Sequence, residues 1–494
     1  MRHFKAASWF GLSLLLTPFF FNCHQSTDQS AAVNAANTTA DRQPDSEDQT
    51  VRAMTADGAA VGESKVRITT AILGAAAPAG VAGKLNDGAV VPAGTKLLAL
   101  YDNNCRGTES NLRYEAEAMD LAENKSMNEL EIMAESDPCL LRIDENHVHT
   151  LIDPVVDRAN AVSANDVSAL ATTNDPRLAE ARHITFTKTL SSWDWFYSGV
   201  GINQDVLVAV VDTGVLYTHP DLADNVYSNS NGQHGYDFIN DDNDPIDDNG
   251  HGTHVSGIIA ARANNGAGVT GVMGTRVKVM GVKVLNAQGS GDDAAIVNGI
   301  RYAADQGAQV MNMSLGGKFQ STAIRDAMVY AAGKGTVIIV AAGNSNEEIT
   351  SANFYAPSGY SKDIPGCLSV GSVDAVTGAR SSFSNTGAGY VWIAAPGSNG
   401  ILSTYLANGY TALQGTSMAS PVVAGAAALL VGAYRSRGLT YTPTQVVSLL
   451  TDSARPVTTL STVFRNGATL DVERAAKLFY SRYVMSGDAG TEAQ

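Results

Sequence analysis

The chain predicts an α/β fold of three layers, a mostly parallel sheet between helices, preceded by a small α+β domain. Three observations carry this expectation. From Asp205 onward short apolar runs alternate with helical patterns, the rhythm of strands joined by helical crossovers. The runs are continuously apolar, as strands buried on both faces must be. A polar stretch from about Val156 to Asn174 separates this region from a shorter one of different composition.

In chain order, Arg2, His3 and Lys5 precede a charge-free stretch from Ala6 to Phe21, shaped like an export signal and short for a membrane span, so residues 1–23 are assigned to export. Cys23 resembles the lipid-modified cysteine of bacterial lipoproteins, although Phe20 and Asn22 depart from the small residues preferred there. The alternatives are a thiol lost with the signal or left unmodified. Residues 24–64 hold almost no large apolar side chains and read as a disordered tether. Residues 65–152 form the small α+β domain, with strands expected at Val66–Ile72 and Lys96–Tyr101, a helix near Glu115–Glu135 and a strand-like run Cys139–Ile152. A linker, 153–173, leads to the large domain, 174–482, and a tail, 483–494. In the large domain Val206–Val211, Val277–Val284, Gln309–Met313, Thr336–Ala342 and Cys367–Val373 are predicted strands. His254–Arg262, Asp292–Asp305, Ser321–Ala332 and the very apolar Ser417–Tyr434 are predicted helices.

Charge narrows the function. Of 494 residues, 33 are Lys or Arg and 49 Asp or Glu, a net charge of −16, and no dense basic run interrupts this. Phosphate backbones and anionic membranes are therefore disfavoured as partners, leaving lipid at Cys23 as the one expected route to a membrane. The four cysteines include no C-x-x-C pair, which argues against zinc or dithiol chemistry. Cys105 and Cys139 share the small domain, where an oxidising compartment would pair them and a reducing one would not.

Asp212 ends the first strand of the large domain in Asp212-Thr213-Gly214, so its carboxylate leaves the sheet at the edge where such folds gather function. An aspartic-protease dyad would need a second such triplet, absent from the chain unless a homodimer supplies it. His251 lies in Asn249-Gly250-His251-Gly252-Thr253-His254, with glycines that permit close backbone approach at a helix start. Ser417, in Gly415-Thr416-Ser417-Met418-Ala419-Ser420-Pro421, opens the apolar helix, where free N–H groups and the helix dipole favour developing negative charge. Singly, the histidine would be a satisfied surface residue and the serine an N-cap.

Together, in the order Asp, His, Ser, these motifs resemble the subtilisin-like serine proteases, or subtilases, over roughly Asn174 to Tyr480. The resemblance implies a subtilisin-like fold and acyl transfer: Ser417 attacks a peptide carbonyl, His251 moves the proton, and Asp212 orients the imidazole. It implies that Asn344, in Ala341-Ala342-Gly343-Asn344, shares the oxyanion with the Ser417 N–H. Gly289-Ser290-Gly291 and Ser314-Leu315-Gly316 look like the family's substrate-binding edges, which would pair with an extended polypeptide. Ser351–Pro357 should line the primary pocket and contains no acid, which points to large apolar side chains.

The same resemblance implies structural Ca2+ held by Asp221, Asn265 and the carbonyls of Ala263, Ala267 and Val269. The acidic run around Asp237 and Asp242 suggests a second cation, or simply a solvated loop. The small domain lies where these proteases carry a propeptide, so it is expected to act as an intramolecular inhibitor of an exported, monomeric zymogen. A catalytically silent member of the fold serving as a surface binding module is the alternative.

Overall fold

The computed structural model describes residues 67–68, 90–107, 114–152, 155–156 and 173–485, and the structural statements below concern these. The export signal, the tether, most of the linker and the tail beyond Met485 lie outside the described residues.

The large domain is organised by a nine-stranded sheet in the order Gly235–Asp237, Val277–Lys283, Val206–Asp212, Val310–Met313, Val337–Ala341, Cys367–Asp374, Ile393–Ser398, Ala468–Thr469 and Arg455–Pro456. Every neighbouring pair is parallel except the last. The five predicted strands all occur, within two residues of their expected ends. Ile393–Ser398 escapes detection because Pro396 and Gly397 lie within it. From Val206–Asp212 the chain first builds outward to one edge and then returns to place Val310–Met313 on the other side. The order reverses between these two strands, which opens a crevice at their carboxyl ends.

Beneath the sheet runs the helix Thr416–Ser436. By length and composition it would cross a membrane, yet its apolar window is wholly buried in protein. Small side chains let it lie close to its neighbours; a Cβ on Gly425 would stand 2.6 Å from Val272. On the other face lie Asp293–Asp305 and Thr322–Gly333, completing the three layers.

The small domain is a sheet in the order Arg67–Ile68, Leu140–Glu145, Lys96–Asp102, Tyr114–Asp120, with the helix Met127–Ser136. The helix expected over 115–135 is half strand. Tyr114–Asp120 pairs antiparallel with Lys96–Asp102 along seven residues, and that pairing overrides the helical propensity of its Ala, Glu and Met. The true helix starts at a capping box, in which the Ser126 hydroxyl accepts from the Glu129 N–H at 3.3 Å and the Glu129 carboxylate accepts from the Ser126 N–H at 2.7 Å. Cys105 and Cys139 are joined as a disulfide, and Cys367 is a buried free thiol.

Strand alternation gives this sheet two apolar faces. Leu97, Ala99, Tyr101 and Ile143 pack with Leu130 and Ala134 of its own helix, while Leu98, Leu100 and Ala116 join the core over Asp293–Asp305 and Thr322–Gly333. A polar seam fixes the register: the Ala116 N–H donates to Asn298 Oδ1 at 2.8 Å, Asn298 Nδ2 donates to the Ala116 carbonyl at 2.9 Å, and Arg142 pairs with Asp326. At its end Asp293 is bonded by His147 Nδ1, at 3.0 Å, and by His149 Nε2.

This contact is pH-sensitive. Burial works against a charged His147, but the hydrogen bond to Asp293 and the charges of Asp293, Glu145 and Asp144 outweigh it and raise its pKa. Burial likewise opposes ionisation of Asp293, and the bonds from His147 and His149 outweigh it and lower its pKa. The His147 contribution is complete below the ordinary value of 6.5 and is lost as pH rises through the raised folded value. That of Asp293 is present above 3.8 and is lost as pH falls through its depressed one. In the Ser417→Ala chain, the urea midpoint for release of the small domain should fall as pH rises above the ordinary histidine value and through the raised one, and His147→Gln should flatten the fall. Equal pH profiles for the two chains would contradict the assignment.

Candidate active site

Asp212 is the last residue of Val206–Asp212, buried, with Oδ1 accepting from its neighbour Thr213 N–H at 2.7 Å. The same oxygen accepts from His251 Nδ1 at 2.8 Å, which orients the ring. Among the described residues His251 Nε2 has no hydrogen-bond partner. His251 opens the helix His251–Ala260. Its loop comes so near the Asp212 loop that a Cβ on Gly252 would stand 2.1 Å from the Gly214 carbonyl oxygen, so only glycine fits there.

Ser417 is the second residue of the buried helix and is itself buried. Pro421, four residues on, has no N–H for the Ser417 carbonyl, and the Ser314 hydroxyl takes that place at 3.1 Å. Ser314 Oγ in turn accepts from Asn312 Nδ2 at 3.0 Å, and Asn312 Oδ1 accepts from Ser420 Oγ at 2.7 Å. The helix that carries Ser417 is thus bonded to the strand that borders the crevice. Asn344 Oδ1 accepts from the Thr416 N–H at 2.9 Å and the Thr416 hydroxyl at 3.0 Å, so its Nδ2 is the donor end. That nitrogen lies 2.9 Å from the position a Gly415 Cβ would take, two residues before Ser417.

A strand lies between Ser290–Asp292 and Leu315–Gly316. Val148–Leu151 pairs antiparallel with Ser290–Asp292 and with Leu315–Gly316, with Thr150 opposite Ser290 and Gly316, and Leu151 opposite Leu315. The Leu151 N–H donates to the Gly289 carbonyl at 2.7 Å. The Ser417 hydroxyl donates to the Ile152 carbonyl at 3.1 Å, with the Ser314 carbonyl at 3.4 Å as a second acceptor. The Ile152 side chain is buried with Ala341, Ala342 and Tyr355, an apolar pocket with the expected contribution from Ser351–Pro357. Beyond it, Val155–Val156 pairs with Leu413–Gln414 just ahead of Ser417. The run expected over Cys139–Ile152 is therefore two strands, one in the small domain and one in the cleft.

Away from the crevice, Asp221 Oδ1 accepts from Asn265 Nδ2 at 2.8 Å and Oδ2 from the Val269 N–H at 3.0 Å. Burial, reinforced by the charge of Asp175, pushes its carboxyl up to about 6 despite these bonds. Asp175 Oδ1 accepts from the Asn265 N–H at 3.2 Å. Two buried carboxylates thus meet at the loop that carries Ala263, Ala267 and Val269, and their charge suits a cation. Among the described residues no three His, Cys, Asp or Glu side chains gather as metal ligands do. A cation here would rest on two carboxylates, the amide and carbonyl oxygens, a hard donor set. In the acidic run, Asp237 and Asp242 meet through their backbones, and the Asp237 carboxylate accepts from the N–H groups of Ile239 and Asn240 and from the Asn240 amide.

Four residues went unnoticed in the sequence. Asp247 bonds Thr213 Oγ1, Thr253 Oγ1 and the N–H groups of Asn249, Gly250 and Thr253, and so holds the start of the His251 helix; the acidic run hides it. Lys283, buried opposite Asp212, donates to the Thr213 and Leu285 carbonyls and to Asp248; a lysine ending an apolar strand was the available signal. Asp175 and Asp293 carried no local signal. His254, second of the histidine pair, is tied to the Thr411 carbonyl at 3.0 Å, and burial, with His251 beside it, lowers its pKa to about 3.

The subtilase family model matches residues 203–470, more than half of the chain. The thermophilic serine proteinase of Bacillus sp. (strain AK1) is 42% identical over 248 residues, 50% of this chain and 57% of that protein. Thermitase of Thermoactinomyces vulgaris is 45% identical over 229 residues, 46% of this chain and 76% of that protein. The solved structure of a protease from Pseudoalteromonas arctica PAMC 21717 superposes with a TM-score of 0.53 at 32% identity, covering 62% of this chain and 99% of the other. With the mostly parallel sheet, these likenesses leave one conclusion: the chain belongs to the subtilase family.

Proposed function

We propose that the chain is a serine endopeptidase made as a zymogen, which hydrolyses polypeptides through Ser417, His251 and Asp212, with Asn344 and the Ser417 N–H receiving the oxyanion. The observation that carries this is the segment ending at Ile152, paired as an extended strand on both edges of the cleft, with the Ile152 carbonyl oxygen accepting from Ser417 Oγ at 3.1 Å. An extended substrate would pair with the same two edges. In the step that follows, Ser417 Oγ bonds to the carbonyl carbon while its proton passes to His251 Nε2, then to the leaving nitrogen; water repeats the sequence on the ester.

The small domain acts as the intramolecular inhibitor, because its last strand fills the substrate's place. Residues 1–23 direct export, and lipid at Cys23 would anchor the product; otherwise the enzyme is secreted, as a monomer. Ca2+ at Asp221, Asp175, Asn265 and the carbonyls of Ala263, Ala267 and Val269 would supply positive charge to a buried anionic loop and so stabilise the fold.

Wild-type protein should hydrolyse casein and take up a fluorophosphonate probe, and Ser417→Ala should do neither. Folded wild type that does neither would favour the silent binding module. Asn344→Leu should lower kcat by about 10²–10³ with little change in KM, the size already known for this donor in subtilisin itself. Chelation should lower the thermal midpoint, and excess Ca2+ should restore it; Asp221→Asn should remove most of that response, and an unchanged midpoint in chelator would contradict the calcium assignment.

A further inference from the structure

The segment in the cleft also records what one part of the cleft prefers. With the Ile152 carbonyl at Ser417, the register places His149, opposite Gly291, as the fourth residue before the bond to be cut. Its side chain is fully buried, and Nε2 bonds Asp293 Oδ1. Its ring meets Phe319 edge-on, with centroids 4.3 Å apart. Asp293 is the first residue of the helix Asp293–Asp305, and its carboxylate is also fully buried. The side-chain bonds it accepts come from His147 and His149, both belonging to the small domain. The wall of the cleft thus keeps an acid whose partners leave with that domain.

We infer that Asp293 makes this enzyme select a cationic side chain, lysine, arginine or protonated histidine, at the fourth residue before the cleaved bond. This rests on the protease reading above and adds a specificity to it. An apolar side chain seated there would cover the carboxylate without bonding it, and removing water from an unpaired charge is costly. A cation would bond it and would also lie against the Phe319 ring. The primary pocket around Ile152 stays apolar, so the charge preference belongs to the fourth position and not to the first.

The test is a panel of internally quenched peptides, identical except for Lys, Arg, Gln, Leu or Glu at the fourth residue, with Ile before the cleaved bond. The expected result is a kcat/KM for Lys and Arg about tenfold or more above Gln and Leu, with Glu lowest. In Asp293→Asn, assayed on protein that takes up the fluorophosphonate probe, the Lys-to-Leu ratio should collapse to about one. The wild-type panel decides the matter even where the variant does not fold. Wild type that cuts Leu as well as Lys, or a ratio that survives in Asp293→Asn, would overturn the inference while leaving the protease intact. No Ser417-dependent probe uptake in wild type would overturn both.

Discussion

Burial on both faces leaves the central sheet one place to present chemistry, the carboxyl ends of its strands. Val206–Asp212 and Val310–Met313 lie where the strand order reverses, so their ends open on a crevice instead of under a helix. Asp212 ends one strand and is bonded by His251, which opens a helix, while Ser314 follows the other strand and bonds the Ser417 carbonyl in the first turn of another. The buried helix Thr416–Ser436 is the counterpart of that constraint: its core packing fixes its axis, and Ser314 holds its first turn through the carbonyl that Pro421 leaves free. A serine so placed needs little further ordering to meet a carbonyl, which is the entropic part of catalysis.

The small domain completes the crevice by the same physics. One face of its sheet covers its own helix and the other covers two helices of the large domain, so its docking uses ordinary apolar burial. The polar seam through Asn298, Asp326 and Asp293 sets register, and the register delivers Val148–Ile152 to the cleft. That strand pairs by backbone, and the side chains of His149, Leu151 and Ile152 are buried.

Much of this was legible in the chain. The central strands were readable as continuous apolar runs, and Asp212, His251, Asn344 and Ser417 as motifs at or beside the ends of strands and helices. What stayed hidden depends on contacts between distant segments. Tyr114–Asp120 has helix-forming residues and becomes a strand only because Lys96–Asp102 lies beside it. Ile393–Ser398 carries breakers that only a neighbouring strand and helix tolerate. Asp175 and Asp293 look like surface acids until the chain folds Asn265 against one and His147 and His149 against the other.

The central claim is that the cleft holds this chain's own segment as its first substrate, with Ile152 next to the bond that breaks. Intact-mass and N-terminal sequencing of the wild-type and Ser417→Ala proteins tests it most directly. The account predicts a wild-type large fragment beginning at Asp153 and a Ser417→Ala chain uncut at that bond. A wild-type protein left intact there, or an equal cut after Ile152 in Ser417→Ala, would contradict it.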